Sequence, residues 1–200
     1  SMKALGRYKT RKAVTSQLVD MKIVSEARKG LYILIVLAGE STLVVDLGSS
    51  GTLRRHANKD AVEPDTEMVI TFTQHGQLRL VDAGGTAEVF VVDTAALAEE
   101  IPVTDDYGLD PVEEPVSWTV FGRELLQRST KLKTLIMDDK FVVGIGNIYA
   151  DEILYEAGLR YDRISDTLSS QEIRRLHRAL VGTIHDALKY RGTSVPERLF

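Results

Sequence analysis

Two hundred residues suffice for one ordinary domain or two small ones, and a composition of 44% hydrophobic and 27% charged residues is that of a globular protein. No apolar run approaches the roughly 20 residues of a membrane span, no apolar core follows the basic opening Ser1 to Lys12 as in a secretory signal, and without cysteine there is no disulfide framework, thiolate nucleophile or cysteine zinc site. The net charge of −4 argues mildly against nucleic acid, but it is segregated: Ser1 to Gly30 carries eight Lys/Arg against two acids, and Asp82 to Glu114 carries ten acids and no base. From Thr119 onward there are thirteen bases and eleven acids, so a basic face on an acidic protein is compatible with the pattern.

The first half reads as β. Val14 to Met21 is weakly amphipathic and fits a short helix. Leu31 to Leu37 is a continuous apolar run suited to a buried strand, and Ser41 to Leu47 follows it after a short turn, predicting a hairpin. Met68 to Thr73 and Gln77 to Val81 flank His75-Gly76 as a second hairpin, and Glu88 to Asp93 is a further strand. Short strands with glycine-bearing turns predict a twisted antiparallel sheet or sandwich over residues 1–94.

From about Thr94 the character changes. Acids and three prolines, Pro102, Pro111 and Pro115, mark residues 95–116 as a linker with one short helix at Ala95 to Glu100. The remainder, 117–200, reads as helical. Ser117 is the expected N-cap of Trp118 to Arg128, and Ser129 that of Thr130 to Met137. Asn147 to Ala157 is stopped by Gly158, and Ser169-Ser-Gln-Glu172 is a capping box opening a long helix with an apolar stripe at Ile173, Leu176, Leu180, Ile184 and Leu188, closed by Gly192. The fold class is α+β: an N-terminal antiparallel β-sandwich-like domain, then an all-helical domain. His177 and His185 lie eight residues apart, too far for one metal ion to be gripped by both, and neither metal nor cofactor is expected.

Between two of these helices sits Asp138-Asp-Lys-Phe-Val-Val-Gly-Ile-Gly-Asn147-Ile-Tyr-Ala-Asp-Glu152. Gly144 and Gly146 permit tight turns and close approach by another backbone. Asn147 stands where a helix begins, so free N–H groups and its amide make an anion site, and Lys133 is placed to add charge to the same phosphate. On physics alone, a buried turn with packing glycines and Asn147 as a plain cap is the readier reading.

The string Val143-Gly-Ile-Gly-Asn-Ile-Tyr-Ala-Asp-Glu152 resembles the helix–two-turn–helix signature of the formamidopyrimidine-DNA glycosylase/endonuclease VIII family. The flanking order agrees: Lys131-Leu-Lys-Thr-Leu-Ile-Met-Asp138 before, Ala157-Gly-Leu-Arg160 after, then Leu168-Ser-Ser-Gln-Glu-Ile and Gly192-Thr-Ser. More weakly, Glu26 to Leu34, Leu43 to Gly51 and Val69 to Val92 are similar to the family's β domain. The resemblance implies duplex DNA, damaged or abasic, as partner in base excision repair, at a cytoplasmic, nucleoid-associated site. It implies phosphate contacts from Asn147 and Lys133, with Gly146, Lys131 and Lys140 beside them and Arg7, Lys9, Arg11 and Lys12 adding electrostatic grip.

The family's chemistry uses an N-terminal proline amine with an adjacent glutamate, a strand lysine, and Met, Arg and Phe wedged into the duplex. Measured against it, this chain is expected to be degenerate. Its opening, Lys3-Ala-Leu-Gly-Arg-Tyr, lacks the proline helix, and no zinc finger precedes Phe200. Ser1-Met2 reads as an expression scar. Leu31 replaces the strand lysine, Asp46 replaces a histidine, and Ser49, Gly84 and Thr86 replace the wedge. The expected function is a DNA-binding pseudoenzyme with no catalytic residue. Two alternatives stay open: a residual glycosylase or abasic-site lyase using Lys12, Lys29 or a terminal amine, and an interaction scaffold whose acidic Ala95 to Glu114 recruits a partner.

Overall fold

The computed structural model describes residues 4, 6–7, 11–74, 76–190 and 192, the side chains of residues 11–13 excepted. Lys9 and His75, and the side chains of Arg11 and Lys12, therefore lie outside the described set. The chain forms two compact units, Ser1–Thr104 and Asp105–Phe200.

The first unit contains helix α1 (Arg11–Leu18) and, after it, strands β1 (Ile23–Lys29), β2 (Tyr32–Leu37), β3 (Ser41–Asp46), β4 (Thr52–His56), β5 (Thr66–Thr71), β6 (Gln77–Val81) and β7 (Glu88–Asp93). They make two antiparallel sheets, ordered β1-β2-β3-β7 and β4-β6-β5. Alternation along the strands explains the packing. Ile35, Leu37, Leu43, Val45 and Val89 point one way, into a core shared with Leu80 and the half-buried Leu53, Met68, Ile70 and Leu78 of the other sheet. Leu34, Val44 and Phe90 point the other way and are covered by Ile101 and Leu97. Both faces of β2 and β3 are thus buried, which is why Leu31 to Leu37 reads as an unbroken apolar run rather than an alternating one.

Two strands escape the sequence pattern. The β1 segment Ile-Val-Ser-Glu-Ala-Arg-Lys is an edge strand, largely exposed, and β4 is the polar Thr-Leu-Arg-Arg-His. The β1–β2 hairpin also moves Leu31. It lies in the turn with Gly30, whose φ is +57°, and β2 begins one residue later at Tyr32. Residues 94–106 are ordered as a 3-10 helix (Thr94–Ala96), helix α2 (Leu97–Glu100) and a second 3-10 helix (Pro102–Asp106).

The second unit contains α3 (Trp118–Leu126), α4 (Leu132–Ile136), α5 (Asn147–Ala157) and α6 (Ser170–Lys189). Residues 108–109 are docked in this unit: Gly108 N–H donates to the Asp139 carbonyl at 2.8 Å, and Leu109 exchanges bonds with Phe141 and Val143. Ser117 caps α3 by accepting the Val120 N–H, and Gly158, at φ +62°, ends α5. The capping box at Ser169 and Glu172 is present in both directions. Leu125, Leu132, Leu135, Ile136, Ile153 and Leu176 are all essentially inaccessible in the core. Of the α6 stripe, Ile173, Leu176 and Leu180 are buried and Ile184 half-buried, while Leu188 is exposed. Among the described residues, no helix is long and apolar enough to cross a membrane.

Ser129 does not cap α4. The N-cap is Lys131, without a side-chain bond. The first N–H groups of α4 are instead taken by a passing loop, Leu132 donating to the Arg163 carbonyl at 2.9 Å and Lys133 to that of Tyr161 at 3.1 Å. A tertiary contact replaces the local cap.

Candidate nucleic-acid interface

The junction between α4 and α5 is built from the inside outward. Phe141, Val142, Val143 and Ile145 are buried and hold the turn against the helical core. Gly144 takes φ +85°, a conformation that favours glycine, and donates its N–H to the Asp139 carboxylate at 2.8 Å. The chain then surfaces. Gly146, Asn147 and Ile148 are all exposed. Gly146 is the N-cap of α5 in extended conformation, no side chain caps the helix, and its first turn contains no acid. Addition of a Cβ at Gly146 would meet nothing within 4 Å. The opening N–H groups of an eleven-residue helix therefore face solvent with the positive end of the helix dipole behind them.

Lys133 stands beside this helix start. Its side chain is about one-quarter exposed and its Nζ lies 2.6 Å from Oδ1 of Asp151, one turn into α5. Nothing local in the sequence marks Asp151, because the lysine it meets stands eighteen positions earlier. Lys131 is exposed and close enough to Asp162 to help hold that carboxyl low, behind the larger effect of the Arg160 hydrogen bond. Lys140 is turned to other work. Its Nζ meets Asp106 at 2.9 Å, and that hydrogen bond raises its pKa. Gly146, Asn147 and Lys133 are thus brought to one corner. Lys140 is ion-paired outside it.

Arg7, expected to add grip on an anion, is also engaged. Its guanidinium bonds Glu88 at 3.0 Å and Glu100 at 2.7 Å and lies 3.6 Å from the Phe90 ring centroid. It fastens α2 to the β unit.

The other predicted positions sit in the β unit. Leu31 is in its turn, with 46% of its surface exposed. Asp46 ends β3 and accepts the Gly48 N–H at 2.8 Å, closing an Asx-type turn. Ser49 and Gly84 belong to two loops that are tied together. Ser49 N–H donates to Thr86 Oγ1 at 3.0 Å, Gly84 N–H to Ser50 Oγ at 3.2 Å, and Ser50 donates its hydroxyl to Asp82. Asp82 is buried and also accepts the Ala87 N–H at 2.8 Å. The Ser50 hydroxyl, followed by the backbone N–H of Ala87, holds the Asp82 carboxyl below its ordinary value. The ties leave no room: a Cβ at Gly84 would come within 2.3 Å of Ser50 Oγ, and one at Gly48 within 2.5 Å of the Thr86 carbonyl.

Two family models match the chain. Residues 2–89 match the formamidopyrimidine-DNA glycosylase N-terminal domain, and residues 107–198 match the formamidopyrimidine-DNA glycosylase helix–two-turn–helix domain. The formamidopyrimidine-DNA glycosylase of Pelotomaculum thermopropionicum is 33% identical over 178 residues, covering 89% of this chain and 64% of that protein. That of Moorella thermoacetica is 32% identical, covering 90% of this chain and 66% of that protein. This chain therefore spans somewhat under two thirds of the length of these relatives. The crystal structure of the Thermus thermophilus enzyme is 31% identical with a TM-score of 0.74, covering 86% of this chain and 62% of that one. The Lactococcus lactis enzyme, solved with DNA containing an abasic site, shares the fold at a TM-score of 0.78 and 22% identity, over 92% of this chain and 70% of that one.

Proposed function

The chain belongs to the formamidopyrimidine-DNA glycosylase family, a family of DNA-binding repair proteins, and from that premise we propose that it binds duplex DNA through the phosphate backbone and does not excise bases. The observation that carries the reading is the start of α5: exposed, uncapped, free of acids in its first turn, and flanked by Lys133. A phosphate placed there would accept the first N–H groups of the helix and the Asn147 amide, and would meet the lysine charge from one side. Such contacts position a protein on a duplex without reading its sequence, so weak sequence selectivity belongs to the proposal. Intact, damaged or abasic duplex is the proposed partner, at a cytoplasmic, nucleoid-associated site.

The non-catalytic half of the proposal rests on positions inside the chain. At the place where the family's strand lysine is expected stands Leu31, which carries no amine. The loop positions where a wedge is expected, Ser49 and Gly84, are short and hydrogen-bonded into the tie between the two loops. A closed pair of small residues cannot fill the space that an everted base leaves, a step that costs a few kcal/mol of unstacking. The scaffold alternative is weakened because its acidic segment is partly engaged internally, Glu100 with Arg7 and Asp106 with Lys140.

The test is a salt-dependent titration of fluorescent duplexes, intact and abasic, beside a borohydride trap. The expected result is binding to both duplexes with a log–log salt slope of about −0.9 for each phosphate neutralised, and no covalent adduct on abasic DNA. An adduct would restore the lyase reading, and no binding at low salt would leave the scaffold reading.

A further inference from the structure

The Lys133–Asp151 pair lies within the proposed phosphate site, and its consequences rest on that reading. The contact is short, 2.6 Å from Nζ to Oδ1, so the two charges form a direct ion pair. The lysine side chain is mostly covered and the carboxylate about half exposed, so the pair has a held end and an open end. Asp151 is the fifth residue of α5 and therefore one turn beyond the exposed N–H groups. The cation that would receive the phosphate is already satisfied by an anion carried on the same helix that offers those N–H groups.

We infer that Asp151 is a built-in competitor for Lys133, so that DNA is bound by exchange of ion-pair partners and not by capture of an unoccupied cation. In the free protein the lysine charge is cancelled locally, and the corner presents little more than the helix dipole. When a backbone phosphate arrives, Nζ swings from the carboxylate to the phosphate oxygen, and the carboxylate, half exposed, turns to water. No covalent bond changes. The exchange lowers affinity at this corner, because the phosphate gains one contact while the protein loses another and a carboxylate is left nearby. It also lowers salt sensitivity, because a lysine already paired internally releases fewer bound ions when it changes partner. Weak, readily reversed contact with any duplex is the result. The pair also holds Nζ beside the start of α5 before DNA arrives.

The test compares wild type, Asp151→Asn, Lys133→Ala and the double variant on one duplex across a salt series, with thermal melting of each protein. Asn keeps the size of Asp151 and removes its charge. Asp151→Asn is expected to bind about five- to tenfold more tightly at low salt, with a salt slope steeper by about one and an unchanged melting temperature. In the Lys133→Ala background the same substitution is expected to gain twofold or less, since the competitor then has nothing to occupy. Equal or weaker binding by Asp151→Asn, with wild type binding well, overturns the exchange and leaves the phosphate site standing. The same gain with and without Lys133 also overturns it, reducing Asp151 to simple repulsion. If neither wild type nor Asp151→Asn binds duplex at low salt, the phosphate site itself fails and the exchange falls with it.

Discussion

The buried carboxylate of Asp82 accepts the backbone N–H of Ala87 at 2.8 Å while Ser50, thirty-two residues earlier, donates its hydroxyl to the other oxygen. One side chain thus bolts together the two loops in which the family's wedge is expected. Its hydrogen bonds favour the ionised form, so its folded-state pKa is depressed. A group of this kind contributes stability that is present above the ordinary carboxyl value of about 4 and is lost as pH falls through its lower folded value.

Asp82→Asn should therefore cost about 1–3 kcal/mol at neutral pH by leaving a buried donor without its partner. The deficit should shrink as pH drops below about 4, where wild type loses the same interaction. Melting curves of both proteins between neutral and acid pH check this; a gap that stays constant would remove the carboxylate from the explanation.

Gly84→Arg, which places a long side chain where the family's wedge is expected, should fail as a repair. Its Cβ would collide with Ser50 Oγ at 2.3 Å, and moving Ser50 breaks the contact with Asp82. We expect a lower melting temperature and no rise in 2-aminopurine fluorescence when the variant is mixed with labelled duplex. A stable variant that unstacks the base would show that the loops yield more easily than their hydrogen bonds imply.

The two junction glycines should behave differently. Gly144, at φ +85°, is there for its backbone, and Gly144→Ala should cost about 1–2 kcal/mol. Gly146 is extended, exposed and open around its Cα. Gly146→Asp should cap α5 and raise stability by a few tenths of a kcal/mol, yet weaken duplex binding at least tenfold by filling the anion site with its own carboxylate. Stability and binding measured on one preparation should move in opposite directions.

Asn147→Ala and Lys133→Ala should each weaken binding to intact and abasic duplexes alike, and to all sequences by similar factors, with little change in melting temperature. Competition between unrelated duplexes reads this out. A loss confined to one sequence or one lesion would mean that these residues read bases.

Arg79 is fully buried, with its guanidinium shared among the Asp60 and Ala61 carbonyls and Gln77 Oε1 at 2.6–2.9 Å. Arg79→Lys keeps the charge but offers a single point where a planar fork is needed. It should destabilise by about 1–3 kcal/mol by leaving buried acceptors without a donor, measurable as a lower denaturation midpoint.

Much of this protein was legible in order along the chain. Helix starts at Ser117 and Ser169, the stop at Gly158 and the strands around Val44 and Phe90 each announce themselves within a few residues, because caps, turns and side-chain periodicity are local properties. The glycine-hinged junction ending in Asn147 was legible for the same reason, and it carried the family with it. The β1 and β4 strands were not, since an exposed or polar strand has no apolar pattern to read, and Ser129 was displaced as a cap by a loop thirty residues away. What only the folded chain decided is which partner each charged side chain meets. Lys133 with Asp151, Lys140 with Asp106, Arg7 with Glu88 and Glu100, and Asp82 with Ser50 are separated by 18 to 93 positions, and a lysine in a sequence carries no mark of whether its charge is spare or taken. Ion pairs between distant residues exist only once packing has closed the loops between them, so which charges are spare and which are taken is fixed by tertiary contact and not by composition.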